Sequence, residues 1–389
     1  MNHEEIRLQA QRLINDGSLH EAELLLRQTL AGGSGPVIFW QQLVRAVRGQ
    51  GKFAETRALQ ELILQHFPGD MSNRFDLAET LLLLGDFDRG WAQYRFRYHM
   101  AHTLMRGRKV QCASWAGQPI LGKTLLIHDE QGYGDTFQFL RMVTWVRERS
   151  GANVILEINQ DSLTLAQRSL GAENVIPNGS LPPPFDFHIE LMSLPLVMKL
   201  QLSDLPGTIP YLSADPLRVE KWRARLASLP RPLVGLVWAG RPEHINDARR
   251  SLALADLAPL AQPGVSFVSL QKGPASAQAA TPPPGMFLHS LSDEIHDFED
   301  TAAILTLLDV MVSVDSSPVH LAGALGCPAW VMLPFIPDWR WLLEREDDSP
   351  WYPSLRLFRQ PGPQQWQPVL ARVATALAQM TSSVCARQA

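Results

Sequence analysis

The sequence has little cysteine: three residues in 389, at Cys112, Cys327 and Cys385. They lie far apart, so neither a CxxC metal site nor a disulfide framework is predicted, and a reducing, cytoplasmic setting is expected. No apolar run of about 18 residues occurs, so no transmembrane helix is expected. The N-terminus, MNHEEIRLQAQRL, is polar and unlike a signal peptide.

An excess of positive charge is also missing. The formal net charge is −4 and the isoelectric point is about 6.3, which argues against a general nucleic-acid binder. Hydrophobic residues make up 46% of the chain, enough for sizeable cores, and a length of 389 residues predicts two or three domains.

Several sequence motifs of known chemistry are absent. There is no GxSxG elbow, no P-loop and no DxD pair near a predicted strand end, and Phe137 stands where a GxGxxG fingerprint needs its third glycine. His128, His188 and His289 are isolated in sequence, and packed or surface histidines are expected there rather than metal ligands. We therefore predict neither a metal site nor a cofactor, the nucleotide-sugar donor discussed below being a substrate.

The first hundred residues contain an internal repeat. Gly17, Gly51 and Gly85 each precede a short, similar segment, and both intervals are 34 residues, the period of a tetratricopeptide helix–turn–helix unit. Each glycine suits a helix end that needs a left-handed residue. An ordinary helical bundle is the alternative. Stacked repeats leave a concave surface that binds peptides or docks on a partner domain.

After about residue 105, short β-branched runs alternate with helical stretches, which is typical of βαβ units and parallel sheets. A proline-rich passage around 195–216 marks a lobe boundary. We predict a tetratricopeptide domain over 1–105, an acceptor-side Rossmann-like lobe over 106–215 and a nucleotide-sugar-binding lobe over 216–389. Ligands of such lobes bind beyond the carboxyl ends of the strands.

The strongest motif runs from Val310 to Gly326 and reads as strand, turn and helix. Ser317 suits the N-cap and Pro318 the first helical position. The first N–H groups of the helix then form an anion site suited to a diphosphate, with Asp315, Ser316 and His320 beside it. A capped crossover without a ligand is the alternative.

A second turn, HDEQGYGDT at 128–136, also follows a predicted strand. Gly132 and Gly134 allow a ligand to approach the backbone, and Asp135 could serve as a general base on an acceptor hydroxyl. A simple helix cap is the alternative for this aspartate.

Cations follow two strands of the second lobe. Arg249 and Arg250 come after Trp238 and a polar stretch, and Lys272 follows Gln271; each could neutralise a leaving diphosphate or be a solvated surface charge. The aromatic side chains of the proline-rich loop that contains Trp339 could stack on a sugar or a nucleobase, and they could equally well serve only to pack the lobe. Further cleft candidates in these loops are Trp238 and Asn246.

Five segments carry a family resemblance: HDEQGYGDTFQFLR, VGLVWAGRPEHINDARRSLAL, SLQKGP, the stretch from Asp315 to Pro334, and PDWRWLLEREDDSPWYPS. Together they resemble tetratricopeptide-repeat glycosyltransferases related to the bacterial heptosyltransferases. A more distant resemblance is to the O-linked N-acetylglucosamine transferases. The resemblance covers nearly the whole chain. It implies helical repeats followed by a two-lobed GT-B body, which is usually metal-independent.

Carried over residue by residue, the resemblance implies roles for the motif residues. Asp135 matches the base toward the acceptor, and Arg250 matches a basic position near the donor phosphates. Gln271 and Lys272 match contacts to donor phosphate or ribose. The donor-binding helix start is matched by Asp315, Ser316, Ser317 and His320.

Two departures leave the donor open. Heptosyltransferases typically have lysine where this chain has Arg249-Arg250, and Thr-Gly where it has Ser316-Ser317. The function predicted is a metal-independent, inverting transfer from a nucleotide sugar to a hydroxyl, with a protein acceptor recruited by the repeats or the repeats acting only as a scaffold. The alternatives are a catalytically inactive binding module and a sugar-nucleotide epimerase or hydrolase.

Overall fold

The computed structural model describes residues 2–33, 35–100, 110–244 and 246–388. Its contacts divide the chain into two units, the first made of the N-terminal helices with residues 199–201 and Phe335–Arg345, the second of the remainder. The domain boundary predicted at 105/106 falls among residues 101–109, which lie outside the described residues. Within the described ranges, no helix has both the length and the apolar character that crossing a bilayer requires.

Six helices begin the first unit, and each packs on its neighbours in sequence. Their bounds are α1 His3–Asn15, α2 Leu19–Thr29, α3 Val37–Gly49, α4 Phe53–His66, α5 Met71–Leu83 and α6 Phe87–Tyr94. Gly17, Gly51 and Gly85 stand in the three turns of the 34-residue interval with φ of 80°, 77° and 81°, which favours glycine at each. The helix pairs follow the predicted spacing, and their tetratricopeptide character stays a prediction.

The interior of the first unit is built from apolar faces of these helices. One buried cluster contains Ala10, Leu26, Leu30, Phe39, Leu43 and Val47. Further along, Trp339 packs edge-on against Trp91, with ring centroids 5.2 Å apart. Phe335 lies so close to Gly51 that a Cβ there would be 2.7 Å from its ring. The Phe335–Arg345 segment therefore contributes side chains to the packing of the N-terminal helices.

A five-stranded parallel sheet lies in the second unit, in the order β1-β5-β2-β3-β4. Its strands are β1 Ala113–Ser114, β2 Thr124–His128, β3 Asn153–Ile158, β4 Val175–Pro177 and β5 Phe187–Glu190, and the helices of this lobe are α7 Tyr133–Phe139, α8 Met142–Ser150, α9 Leu163–Leu170 and α10 Leu194–Met198. Helices α7 and α8 are separate elements with two residues between them. The backbone nevertheless keeps helical angles through Leu140 and Arg141.

A six-stranded parallel sheet follows, in the order β11-β10-β9-β6-β7-β8. Its strands are β6 Leu233–Val237, β7 Ser266–Ser269, β8 Leu288–Ser290, β9 Val310–Val314, β10 Ala329–Leu333 and β11 Leu355–Arg359, and its helices are α11 Pro216–Leu226, α12 Asp247–Arg250, α13 Phe298–Leu305, α14 Ser317–Ala324 and α15 Trp366–Gln388. Strands β6, β7 and β9 are buried throughout, as expected for parallel strands covered on both faces. Two parallel sheets with interleaved helices were predicted, and the structure confirms them.

Strand order fixes where each sheet can bind a ligand. The chain runs outward from β6 to β7 and β8, then crosses back to place β9 on the other side of β6. This is the 3-2-1-4-5-6 order of dinucleotide-binding folds, whose ligands sit where the order reverses. The first sheet has the same reversal between β2 and β5.

Two arginines link the lobes of the second unit. The Arg141 guanidinium, on a residue only 6% exposed, donates to the carbonyl oxygens of Pro206, Gly207 and Trp351 at 2.7, 3.1 and 3.2 Å. Arg168 of α9 pairs with Glu299 of α13 at 2.9 Å. Both links use geometrically fixed guanidinium bonds, which favours a defined arrangement of the two lobes.

Candidate functional site

The reversal point of the six-stranded sheet lies between β6 and β9, which pair along their length. The chain leaving β6 begins at Trp238, and the chain leaving β9 begins at Asp315. Two segments selected from sequence for the donor thus leave neighbouring strands at the same edge, which is the position expected of a ligand site.

Arg250 joins these two segments. Its Nη1 donates to the backbone oxygen of Asp315 at 3.0 Å, and its Nε donates to Oδ1 of Asp247 at 3.3 Å. Only 17% of the Arg250 side chain is exposed. A Cβ at Gly240 would lie 2.5 Å from Nη2 of Arg250, so glycine permits this close approach. The guanidinium is therefore held in one place beside the reversal point.

Helix α14 begins directly after β9. The observed N-cap is Ser316, not the predicted Ser317, which is instead the first helical residue, so Pro318 falls second. The Ser316 hydroxyl lies 3.0 Å from the hydroxyl of Ser313, because both side chains sit on the buried side of the turn. No side chain caps this helix start, but Pro318 has no N–H and the N–H of Val319 donates to the oxygen of Ser316 at 3.1 Å. The anion site predicted at this turn stays a prediction.

Gln271 is 2% exposed, and its side-chain amide bonds to backbone only. Oε1 accepts from the N–H groups of Trp238 and Ala239, both at 2.9 Å, while Nε2 donates to the oxygens of Ala239 and Lys272 at 3.0 and 2.8 Å. Gln271, which was predicted to contact the donor, thus stabilises the turn after β6.

Lys272 is also engaged by backbone. Its ammonium nitrogen donates to the carbonyl oxygens of Ser292 and Ile295 at 2.6 and 2.9 Å. These bonds fix the segment after β8. The contact predicted between Lys272 and the donor stays a prediction.

His320 is where the two predicted turns meet. It is 5% exposed, its Nδ1 lies 3.1 Å from the Tyr352 hydroxyl, and its Nε2 lies 4.0 Å from Oδ1 of Asp315. A Cβ added at Gly134 would be 2.7 Å from its Cδ2. The glycine beside Asp135 therefore packs directly on the histidine of the Asp-Ser-Ser-x-x-His motif, and the structure brings these two motifs together.

Asp135 is half-buried in the first turn of α7. Its Oδ2 accepts from the backbone N–H of Gly132, the exposed N-cap, at 2.9 Å. The capping role that the sequence left open is thus present. A carboxylate has about four acceptor positions, so a cap and a base can be the same group.

Two predicted cleft residues are placed elsewhere, and the third, Asn246, stays a prediction. Trp238 is fully buried in the core of the six-stranded sheet, so its indole lines no cleft and only its backbone faces the site. Trp339 belongs to the first unit and is 3% exposed against Trp91; packing, not sugar stacking, is its observed role. Asn246 is exposed, and its N–H donates to Nδ1 of His244 at 3.2 Å.

Sequence reasoning missed two supporting residues. Tyr352, 1% exposed, orients His320, and its ring also fills the space above Gly323. Asp247 holds Arg250. The helical spacing of Asp247 and Arg250 could have indicated the second pair, whereas nothing local could have indicated the first.

No protein-family model matches this chain. A curated relative is Protein FlbA from Caulobacter vibrioides, 26% identical over 400 residues that cover 91% of this chain. The alignment covers 66% of FlbA, so the chain spans just under two thirds of the length of that relative.

Solved structures with similarity include two transferases. An ADP-heptose LPS heptosyltransferase II from E. coli matches 67% of this chain and 99% of its own, with a TM-score of 0.48 and 15% identity. An O-GlcNAc transferase mutant from Thermobaculum terrenum matches 98% of this chain and 93% of its own, with a TM-score of 0.26 and 12% identity.

Proposed function

We propose that this chain is a metal-independent, inverting glycosyltransferase that moves a sugar from a nucleotide-sugar donor to a hydroxyl acceptor. The supporting observation is the contact of Gly134 with His320, which sets the turn bearing Asp135 against the helix start at the reversal point of the six-stranded sheet. In this proposal the acid–base group and the anion site are neighbours, as sugar transfer from a diphosphate requires.

On the donor side, the leaving group is a nucleoside diphosphate whose negative charge grows as the sugar departs. Arg250 supplies a fixed cation, and the N-terminus of α14 supplies N–H groups and the positive end of the helix dipole. Pre-oriented donors of this kind stabilise developing charge without reorganisation, so no metal ion is needed for the phosphates.

On the acceptor side, Asp135 takes the proton of the attacking hydroxyl. The hydroxyl oxygen forms the new bond to the anomeric carbon while the bond from that carbon to the diphosphate oxygen breaks. The electron pair leaves with the diphosphate, and a single displacement inverts the anomeric centre. General-base assistance of this kind contributes about 10²- to 10⁴-fold.

The acceptor in this proposal is a protein. The three helix pairs of the first unit follow a 34-residue interval, and arrays of this kind present concave surfaces that bind peptides. Transfer to a free sugar, with the repeats acting as a scaffold, would instead leave activity unchanged when the first unit's exposed residues are altered.

The donor is found first by thermal-shift screening with UDP, GDP, ADP, CMP and TDP sugars, because a ligand that binds the folded state raises the melting temperature. Transfer is then compared in Asp135→Asn and Asp256→Asn. Asp256 is a matched control: its Oδ2 caps the N–H of Ala253 at 2.9 Å, in the same way as Asp135 caps Gly132.

We expect Asp135→Asn to lower turnover by about 10²-fold or more with donor binding intact, and Asp256→Asn to leave turnover near the wild-type value. Full turnover in Asp135→Asn would refute the role of Asp135. Absence of binding to every nucleotide sugar would indicate an inactive binding module, and conversion of donor without acceptor would indicate an epimerase or hydrolase.

A further inference from the structure

A second cluster of chemically active side chains lies at the reversal point of the five-stranded sheet, between β2 and β5. His128 ends β2, and Glu190 ends β5 directly opposite it in the parallel register. His188 pairs with Leu126, two residues before each of them. Because side chains alternate along a strand, all three project from the same face of the sheet.

These side chains converge. One ligand atom from each of His128, His188 and Glu190 lies within 4.8 Å of the others. The two imidazole rings are stacked with centroids 5.8 Å apart and planes 15° from parallel, and the histidines are 3% and 8% exposed. Glu157, 5% exposed, pairs with His128 on the other side, so a second carboxylate follows on the same face.

We infer that His128, His188 and Glu190 form a binding site for a divalent transition cation such as Zn²⁺. Two imidazoles and one carboxylate are a donor set that such cations take. Ligand atoms about 2.1 Å from a tetrahedral ion lie about 3.4 Å apart. The observed atoms lie within 4.8 Å of one another, so they must approach by about an ångström to bind the ion.

Hydrogen bonds fix the chain beside these ligands. Asp129, the residue after His128, accepts from the backbone N–H and the Nδ2 of Asn159 at 2.9 and 2.8 Å and from Nδ2 of Asn178 at 2.6 Å. Oε2 of Glu190 accepts from the Ser193 hydroxyl at 3.0 Å. The bond from Ser193 reaches a proposed ligand directly, and outer bonds of that kind orient metal ligands and raise their affinity.

The role of the ion is to position the chain. It ties the end of β5 to the end of β2, where the turn that carries Asp135 begins. This cluster belongs to the five-stranded sheet, whereas the proposed diphosphate site belongs to the six-stranded sheet. The ion therefore leaves the metal-independent handling of the donor unchanged.

The test uses the full chain, stripped with a chelator and titrated with Co²⁺ alone, because Co²⁺ reports its ligands through visible ligand-field absorption. We expect one equivalent to bind and the melting temperature to rise with added Zn²⁺. His188→Asn and Glu190→Gln should abolish both effects. His289→Asn is the matched control, since His289 is a half-buried histidine on β8 of the other sheet.

Failure of the wild-type chain to bind Co²⁺ or Zn²⁺ overturns the inference, and it needs no variant to fold. Equal binding by the His188→Asn and His289→Asn proteins also overturns it, because it would place the ion on surface groups. If the three side chains instead bond only to one another and take up no ion, the wild-type chain will bind neither Co²⁺ nor Zn²⁺.

Discussion

The backbone of Gly134 lies against the imidazole of His320 so closely that an added Cβ would be 2.7 Å from its Cδ2. The histidine has little freedom to retreat, because it is 5% exposed and its Nδ1 is 3.1 Å from the Tyr352 hydroxyl. The approach of helix α7 to helix α14 therefore depends on the absence of a side chain at this one position.

Gly134→Ala should therefore separate the two helix starts. We expect a loss of about 1–3 kcal/mol in the free energy of unfolding, the usual cost of overpacking, and a fall in transfer rate, both measured on the same preparation by urea titration and turnover. Gly132→Ala is the control, since its Cβ would be 3.4 Å from the nearest atom, Oδ2 of Asp135. Equal effects of the two substitutions would contradict the importance of this contact.

Arg250→Met should weaken nucleotide binding. A charge-assisted hydrogen bond contributes about 1.5–3 kcal/mol, so we expect the dissociation constant measured by calorimetry to rise about 10- to 100-fold. Arg231→Met is matched to it, because Arg231 also bonds one carbonyl oxygen, that of Leu307, and one carboxylate, that of Asp309, both at 3.1 Å.

Arg231 precedes β6, at the amino edge of the sheet, far along the strand from the reversal point. Its substitution should lower stability without changing nucleotide affinity. If the Arg250→Met and Arg231→Met proteins bind the nucleotide with equal dissociation constants, Arg250 does not contribute to the donor site.

Glu79 should make stability depend on pH. Burial raises its pKa to about 7 from 4.5, against the opposing effect of Arg48 at 3.6 Å. A carboxyl whose pKa is raised by folding favours the folded state while it is protonated, so stability should fall as the pH rises from about 4.5 to about 7. Because 30% of its side chain stays accessible, we expect the free energy of unfolding to change less with pH than it would for a fully buried carboxylate.

Glu79→Gln should remove that dependence: relative to the wild type, the variant gains stability at pH 8 compared with pH 5 in urea titrations. Glu61→Gln, which removes a carboxylate paired with Arg89 in the same set of helices, serves for comparison. If both variants show the same slope between the two pH values, Glu79 is not the group responsible.

The sequence predicted the order of helices and strands well, since hydrophobic periodicity reports which faces are buried. It could not predict which strands are neighbours, because β6 pairs with β9 across more than seventy residues of chain. The choice of Ser317 over Ser316 as N-cap failed for a local reason: the hydroxyl of Ser316 turns toward Ser313, so neither serine caps with its side chain and composition alone could not separate them.

The sequence predicted which segments of the chain form the candidate site, but it predicted the contacts of their side chains less well. Sequence identifies Gln271 and Lys272 as polar groups at strand ends, but not that backbone oxygens and N–H groups engage them. The grouping of His128 with His188 depends on the pairing of β2 with β5, which no local pattern reveals. Trp238 looked available because its strand ends there, and its indole turned out to belong to the core.

The guanidinium of Arg141, bonded to three carbonyl oxygens from two parts of the chain, constrains how the lobes of the second unit can move. If those bonds broke, the buried guanidinium would lose its hydrogen-bond partners, which costs free energy. Any movement of one lobe relative to the other that keeps these three bonds must therefore leave the surroundings of Arg141 in place.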